Sequence, residues 1–192
     1  MRAHVLDRQQ AQGEALLDKL AELDARGPPL EDGTTIDFGW SRLALAEVDE
    51  NVLEVEEPFF GDDPVRRRLL GAHDTLDVAQ AQVDVLRKVG VDGVDARFDT
   101  QVIVRRGCLG TERIYLKRDA PQGRSSGWYI GEVERPDVEE QDLEVVTVAD
   151  VFKKRRYAMR VLALPPGYMA VLDGDFIEAV LDAEGKVVAR DF

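Results

Sequence analysis

The sequence predicts an α+β fold, mostly antiparallel sheet with packing helices, with a helix-rich N-terminal extension. Three observations predict it. Apolar residues recur at steps of three and four in two long windows, residues 7–26 and 73–90. From about residue 93 an alternation of period two takes over, in short runs bounded by turn residues. Asp173-Gly174 is a strong two-residue hairpin signal between two such runs.

In the first helical window, Leu16, Leu17, Leu20 and Leu23 stand among Glu, Asp and Lys, and Gly27, Pro28 and Pro29 stop the helix. Next, Phe38 and Trp40 lie two apart, as do Leu43 and Leu45, and Leu53 and Val55. With the DEN of residues 49–51 as a turn, this spacing reads as a short meander ended by Pro58. Residues 62–71 read as a short helix, with Asp62 or Asp63 as cap and Pro64 in the first turn. The 73–90 helix carries the stripe Leu76, Ala79, Val83 and Leu86. Asp74 or Thr75 is its cap and Gly90 its end. Strands follow around Val102 and Val104, Ile114 and Leu116, Trp128 and Ile130, and residues 143–148. Residues 148–164 read as a helix with Val151, Phe152, Tyr157, Val161 and Leu162 as its apolar side. Three short strands close the chain.

A length of 192 residues at 44% hydrophobic composition sustains one large domain or two small ones. A boundary near residue 92 divides an acidic N-terminal extension, 1–92, from an α+β domain, 93–192. No flexible linker marks it, so the halves can share one core. The net charge of −13 is uneven: the first 90 residues hold nineteen acids against ten basic residues. Such a field disfavours nucleic acid and anionic membranes and favours a basic protein partner. The single cysteine, Cys108, allows no intrachain disulfide and suits a reducing compartment. No run has the length or apolarity of a signal peptide or a membrane span, so the expected location is cytoplasmic.

Chemistry-bearing motifs are sparse. His4, His73 and Cys108 do not form a zinc set. Asp173, Gly174 and Asp175 look like a fragment of a calcium loop, but Phe176 and Ile177 interrupt it. Arg105 and Arg106 beside Cys108 could lower its thiol pKa, and His73 could be its base only if folding brought it near. A small residue tucked at a strand end is the commoner explanation of Cys108. GCLG at 107–110 lacks the phosphate-loop pattern. KKRR at 153–156 would spread over more than one helix face and reads as a solvated surface. No catalytic, cofactor or metal residue is therefore nominated. A ligand-binding or enzymatic protein with a cleft between the halves, using Cys108 or His73, stays open beside a structural module.

The segment GCLGTERIYLKRDAPQGRSSGWYIGEVE, residues 107–134, reads as a hairpin. Ile114, Leu116, Trp128 and Ile130 would face inward. Arg113, Tyr115, Lys117 and Tyr129 would lie on the other face, with Arg118 and the loop through Arg124 exposed. Tyr and Arg beside a loop suit a partner-binding patch, and a merely polar outer sheet face accounts for them as well.

These residues resemble the immunity protein 33-like family of bacterial polymorphic-toxin systems. In that family a strand with a basic end leads through a variable loop to Ser-Gly-Trp, here Ser126, Gly127 and Trp128. PPGYMAVLDGDFIEAVLD is similar to the closing strands of longer members, and DDPVRRRLLGAHDTLDVAQAQVDVLRKVG to the extension that precedes their domain. The resemblance is clearest over residues 95–192. It implies a non-catalytic protein that binds and neutralises a cognate toxin, and it supplies no catalytic residues. An acidic inhibitor suits a basic toxin, because opposite fields speed encounter.

Overall fold

The computed structural model describes residues 1–135, 137 and 139–192. The chain divides into two compact units, Met1–Gln80 and Ala81–Phe192.

The first unit is a four-stranded antiparallel meander with helical cover. Helix α1 (Gln10–Arg26) precedes strands β1 (Thr35–Phe38), β2 (Ser41–Asp49), β3 (Val52–Pro58) and β4 (Arg68–Leu70), paired in that order. Helix α2 (His73–Val89) begins in this unit. Leu16 and Leu20 of α1, Leu43 and Leu45 of β2, Val55 of β3, and Ala72 and Leu76 form one buried cluster. This is the alternation and helical spacing of the sequence turned into packing. Trp40 departs from the expected strand position. It sits in the β1–β2 turn, fully buried, stacked on Phe60 at 4.4 Å, and its indole N–H donates to the Thr75 carbonyl at 3.2 Å.

Residues 62–71 are not a helix. The Asp63 carboxylate accepts the Val65 and Arg66 amides, both at 3.1 Å, and makes a turn. The chain then returns as β4, pairing Leu70 with Glu56 and Arg68 with Pro58. A three-residue strand recruited by a distant neighbour leaves no periodicity in its own window.

The second unit holds a seven-stranded sheet. Its strands are β5 (Gln101–Arg105), β6 (Arg113–Arg118), β7 (Ser125–Glu132), β8 (Leu143–Thr147), β9 (Met169–Asp173), β10 (Phe176–Leu181) and β11 (Val187–Arg190). Their order is β11-β10-β9-β6-β7-β5-β8, and every neighbouring pair is antiparallel except β5 with β7. The expected hairpin 113–132 is β6–β7, at the centre of the sheet. Val102 and Val104, Ile114 and Leu116, Trp128 and Ile130, and Ala170 and Leu172 are all buried on one face. The β9–β10 turn is Gly174-Asp175, one residue later than expected, with Gly174 at φ +55°.

The helix expected over 148–164 is α3 (Val148–Lys154) followed by a tighter 3₁₀ stretch, Arg156–Val161. The break lies at Arg155 (φ −146°, ψ 67°). Its guanidinium donates to the carbonyls of Thr111, Glu112 and Gly174 at 2.8–3.0 Å, so three loop acceptors hold the chain out of helical geometry. Val151, Phe152, Val161 and Leu162 are buried as expected, whereas Tyr157 is exposed.

Candidate functional site

The β6–β7 hairpin and its loop hold the Ser-Gly-Trp motif and the expected partner-facing residues, and the structure sorts all of them but Arg124 into two groups. One group points inward and builds the scaffold. Arg118 belongs to it, against the expectation that it would be exposed: it is fully buried. Its guanidinium donates to the carbonyls of Val94 and Leu164 at 2.6 Å each, and to those of Leu162, Asp95 and Ser126 at 3.3 Å. It also lies 5.4 Å from the Trp128 ring. Burial pulls the guanidinium down to about 10, with Asp95 acting the other way. The charge is retained at neutral pH and is solvated by backbone carbonyls in place of water.

Ser126, Gly127 and Trp128 meet the same node. The Ser126 hydroxyl donates to the Gln101 carbonyl at 2.7 Å, tying β7 to β5. The Trp128 indole donates to the Leu162 carbonyl at 3.0 Å, an acceptor it shares with Arg118. Gly127 has φ +81°, and a Cβ there would stand 2.1 Å from the Asp119 carbonyl oxygen. Only glycine allows this approach. The Asp119 amide in turn donates to the Gly127 carbonyl at 2.9 Å. Ser-Gly-Trp is therefore a folding device: it joins β5, β6, β7 and the 162–164 segment through backbone acceptors.

The second group lies on the opposite face of the sheet. Tyr115, Lys117 and Tyr129 share it, and Arg113 stands at its end. Arg113 is already matched, with a two-pronged contact to Glu178 at 2.6 and 2.7 Å that holds the Glu178 carboxyl below its usual range. The Tyr115 and Tyr129 rings lie 5.7 Å apart. Burial pushes the Tyr129 hydroxyl up to about 12, helped by the neighbouring Tyr115 hydroxyl. Gly131 makes room for Tyr115: a Cβ there would stand 2.8–2.9 Å from its ring and hydroxyl. Arg124 lies apart from these residues, exposed in the turn before β7, where its carbonyl accepts the Gln101 amide. Sequence reasoning missed Ile103, Val145 and Met169 on this same face. The alternation of Val102, Ile103 and Val104 was the available signal for the first.

Cys108 offers no nucleophile. It is fully buried, its thiol donates to the Ile130 carbonyl at 3.4 Å, and desolvation pushes it up to about 11, with Glu132 adding to the rise. The neighbouring Arg105 lowers it by less than burial raises it. A shallow pocket of about 320 Å³ nearby is lined by Gly107, Leu109, Gly110, Glu144 and Lys154. Among the described residues no group of three or more His, Cys, Asp and Glu side chains is placed to hold a metal ion. No helix among them is long and apolar enough to cross a membrane.

Neither a curated protein nor a solved structure matches the chain. One family model does, that of the Imm33-like domain, over residues 81–183, which is more than half of the chain. The match begins where the second compact unit begins and takes in the Ser-Gly-Trp node, β5 to β10 and the Arg155 break. The chain thus belongs to the Imm33-like family of immunity proteins.

Proposed function

We propose that this protein is a non-catalytic immunity protein that binds a cognate bacterial toxin and neutralises it by occluding its working surface. The observation that carries this reading is the family match over the whole central part of the sheet unit. The chemistry is in keeping with it: the one cysteine is buried with its thiol pushed up by desolvation, and the family motif serves the fold. The charge distribution supports a basic toxin. Residues 1–80 hold 18 Asp and Glu against 8 Lys and Arg, whereas residues 81–192 hold 20 against 17. The excess negative charge thus resides mainly in the first unit, which would draw a cationic partner and could mimic its polyanionic substrate.

Co-expression tests the reading. The product of the gene adjacent to this chain's, as the candidate toxin, is induced in a susceptible bacterium with and without the chain. Restored growth is expected. Arrest in both cultures sinks the proposal.

A further inference from the structure

We infer that the open face of the seven-stranded sheet, centred on Lys117, seats the cognate toxin, and that the toxin presents there an apolar patch carrying a carboxylate. This rests on the toxin-binding reading and adds the surface and its chemistry. The pairing register places Val145, Ile103, Tyr129, Lys117, Met169 and Leu181 in one row across six adjacent strands. At about 4.8 Å per strand this row runs ~24 Å, enough for the centre of an ordinary protein interface. Five of its six side chains are apolar or aromatic, yet the row is not sealed: Val145 is 61% exposed and Ile103 40%. The opposite face, one residue out of phase, carries the fully buried Val104, Ile130, Leu116, Ala170 and Val180. A sheet with one sealed face and one apolar but accessible face is built to be covered.

Charge identifies the occupant. Lys117 is exposed in the middle of this row and has no ion pair among the described residues. Arg113, two steps along the same strand face, beyond Tyr115, already has Glu178. A cation without a counter-charge, flanked across the strands by Tyr129 and Met169, fits a carboxylate delivered by a partner together with aliphatic surface. The tyrosines are prepared for contact. Gly131 leaves the space in which the Tyr115 ring rests, and the Tyr115–Tyr129 pair offers area with little side-chain freedom left to lose.

The test uses the full chain and the candidate toxin, the product of the adjacent gene, inactivated so that it can be purified. Lys117→Glu and Val145→Asp alter exposed positions of the face, and Val65→Asp is an exposed control in the first unit. Each face variant should weaken binding by about tenfold or more, and the control should stay within about twofold of wild type. Oxidative footprinting of the wild-type complex gives a second readout that does not depend on any variant folding. Tyr115, Tyr129 and Met169 should oxidise more slowly than in the free chain. If wild type binds, the face variants bind equally well and Met169 oxidises at its free rate, the surface is wrong while the immunity reading stands. If wild type itself does not bind, the immunity reading falls and takes the surface with it.

Discussion

At the scale of single residues, the hairpin's chemistry is spent on holding backbone. Arg118→Ala would strand the carbonyls of Val94 and Leu164 in the interior and remove a charge-assisted donor. A loss of ~3–5 kcal/mol in unfolding free energy is expected, measurable by urea titration. Gly127→Ala forces a Cβ against the Asp119 carbonyl at a positive φ, and should cost at least ~2 kcal/mol in the same assay. Cys108 should resist iodoacetamide in the native state across pH 7 to 9 and react fully once unfolded, because it is fully buried and desolvation pushes its thiol up to about 11. Rapid native labelling would contradict its burial. Ser126, Gly127 and Trp128 were legible as a motif in the sequence, but their service to the fold was not. Arg118 shows why. It is in phase with Ile114 and Leu116, so alternation alone places it inside, whereas its charge argues for outside. What decides is a set of carbonyls at residues 94, 95, 162 and 164, distant in the chain.

At the scale of elements, helices and strands were legible where they carry local periodicity and obscure where a distant partner sets them. Helix α2 is where expected, but of the stripe Leu76, Ala79, Val83 and Leu86 only Leu76 is fully buried. Thr75, Val78, Gln82 and Val85 face inward with it, and Val83 is exposed. The stripe moves because two polar members are satisfied inside: the Thr75 hydroxyl donates to Ser41, and the Gln82 amide donates to the Met159 carbonyl. A count of apolar residues cannot register them. The start of α2 also differs from expectation. Its Asp74 and Thr75 amides donate to the carboxylate of Glu57 on β3, at 3.1 and 2.8 Å, so a strand residue serves the helix.

Glu57 makes a pH prediction. Desolvation raises its carboxyl above the usual value despite those amide bonds. A carboxyl raised on folding contributes stability that is fully present below its unfolded pKa, roughly 4.3, and that is lost as pH rises through the folded value. Glu57→Gln does not titrate. The unfolding free energy of wild type minus that of Glu57→Gln should therefore fall as pH rises from about 4 through the folded value. A difference that stays flat or rises would refute the assignment.

At the scale of the whole molecule, the acidic excess was legible from composition, and its concentration in the first unit follows from where the compact units divide. The α+β class and the family were legible too. The mixed pairing of β5 with β7 was not, because a parallel neighbour set between β7 and β8 leaves no trace in alternation. If the first unit steers a basic toxin, the association rate should drop by about tenfold or more between low and high salt, and the dissociation rate should change little. Stopped-flow mixing of the purified pair measures both. The most direct measurement of neutralisation is a titration of the candidate toxin, the product of the gene adjacent to this chain's, with the purified chain, read by that product's own activity. Toxin neutralisation predicts activity that falls steadily to zero at a fixed molar ratio. Undiminished activity at large molar excess of the chain would contradict it.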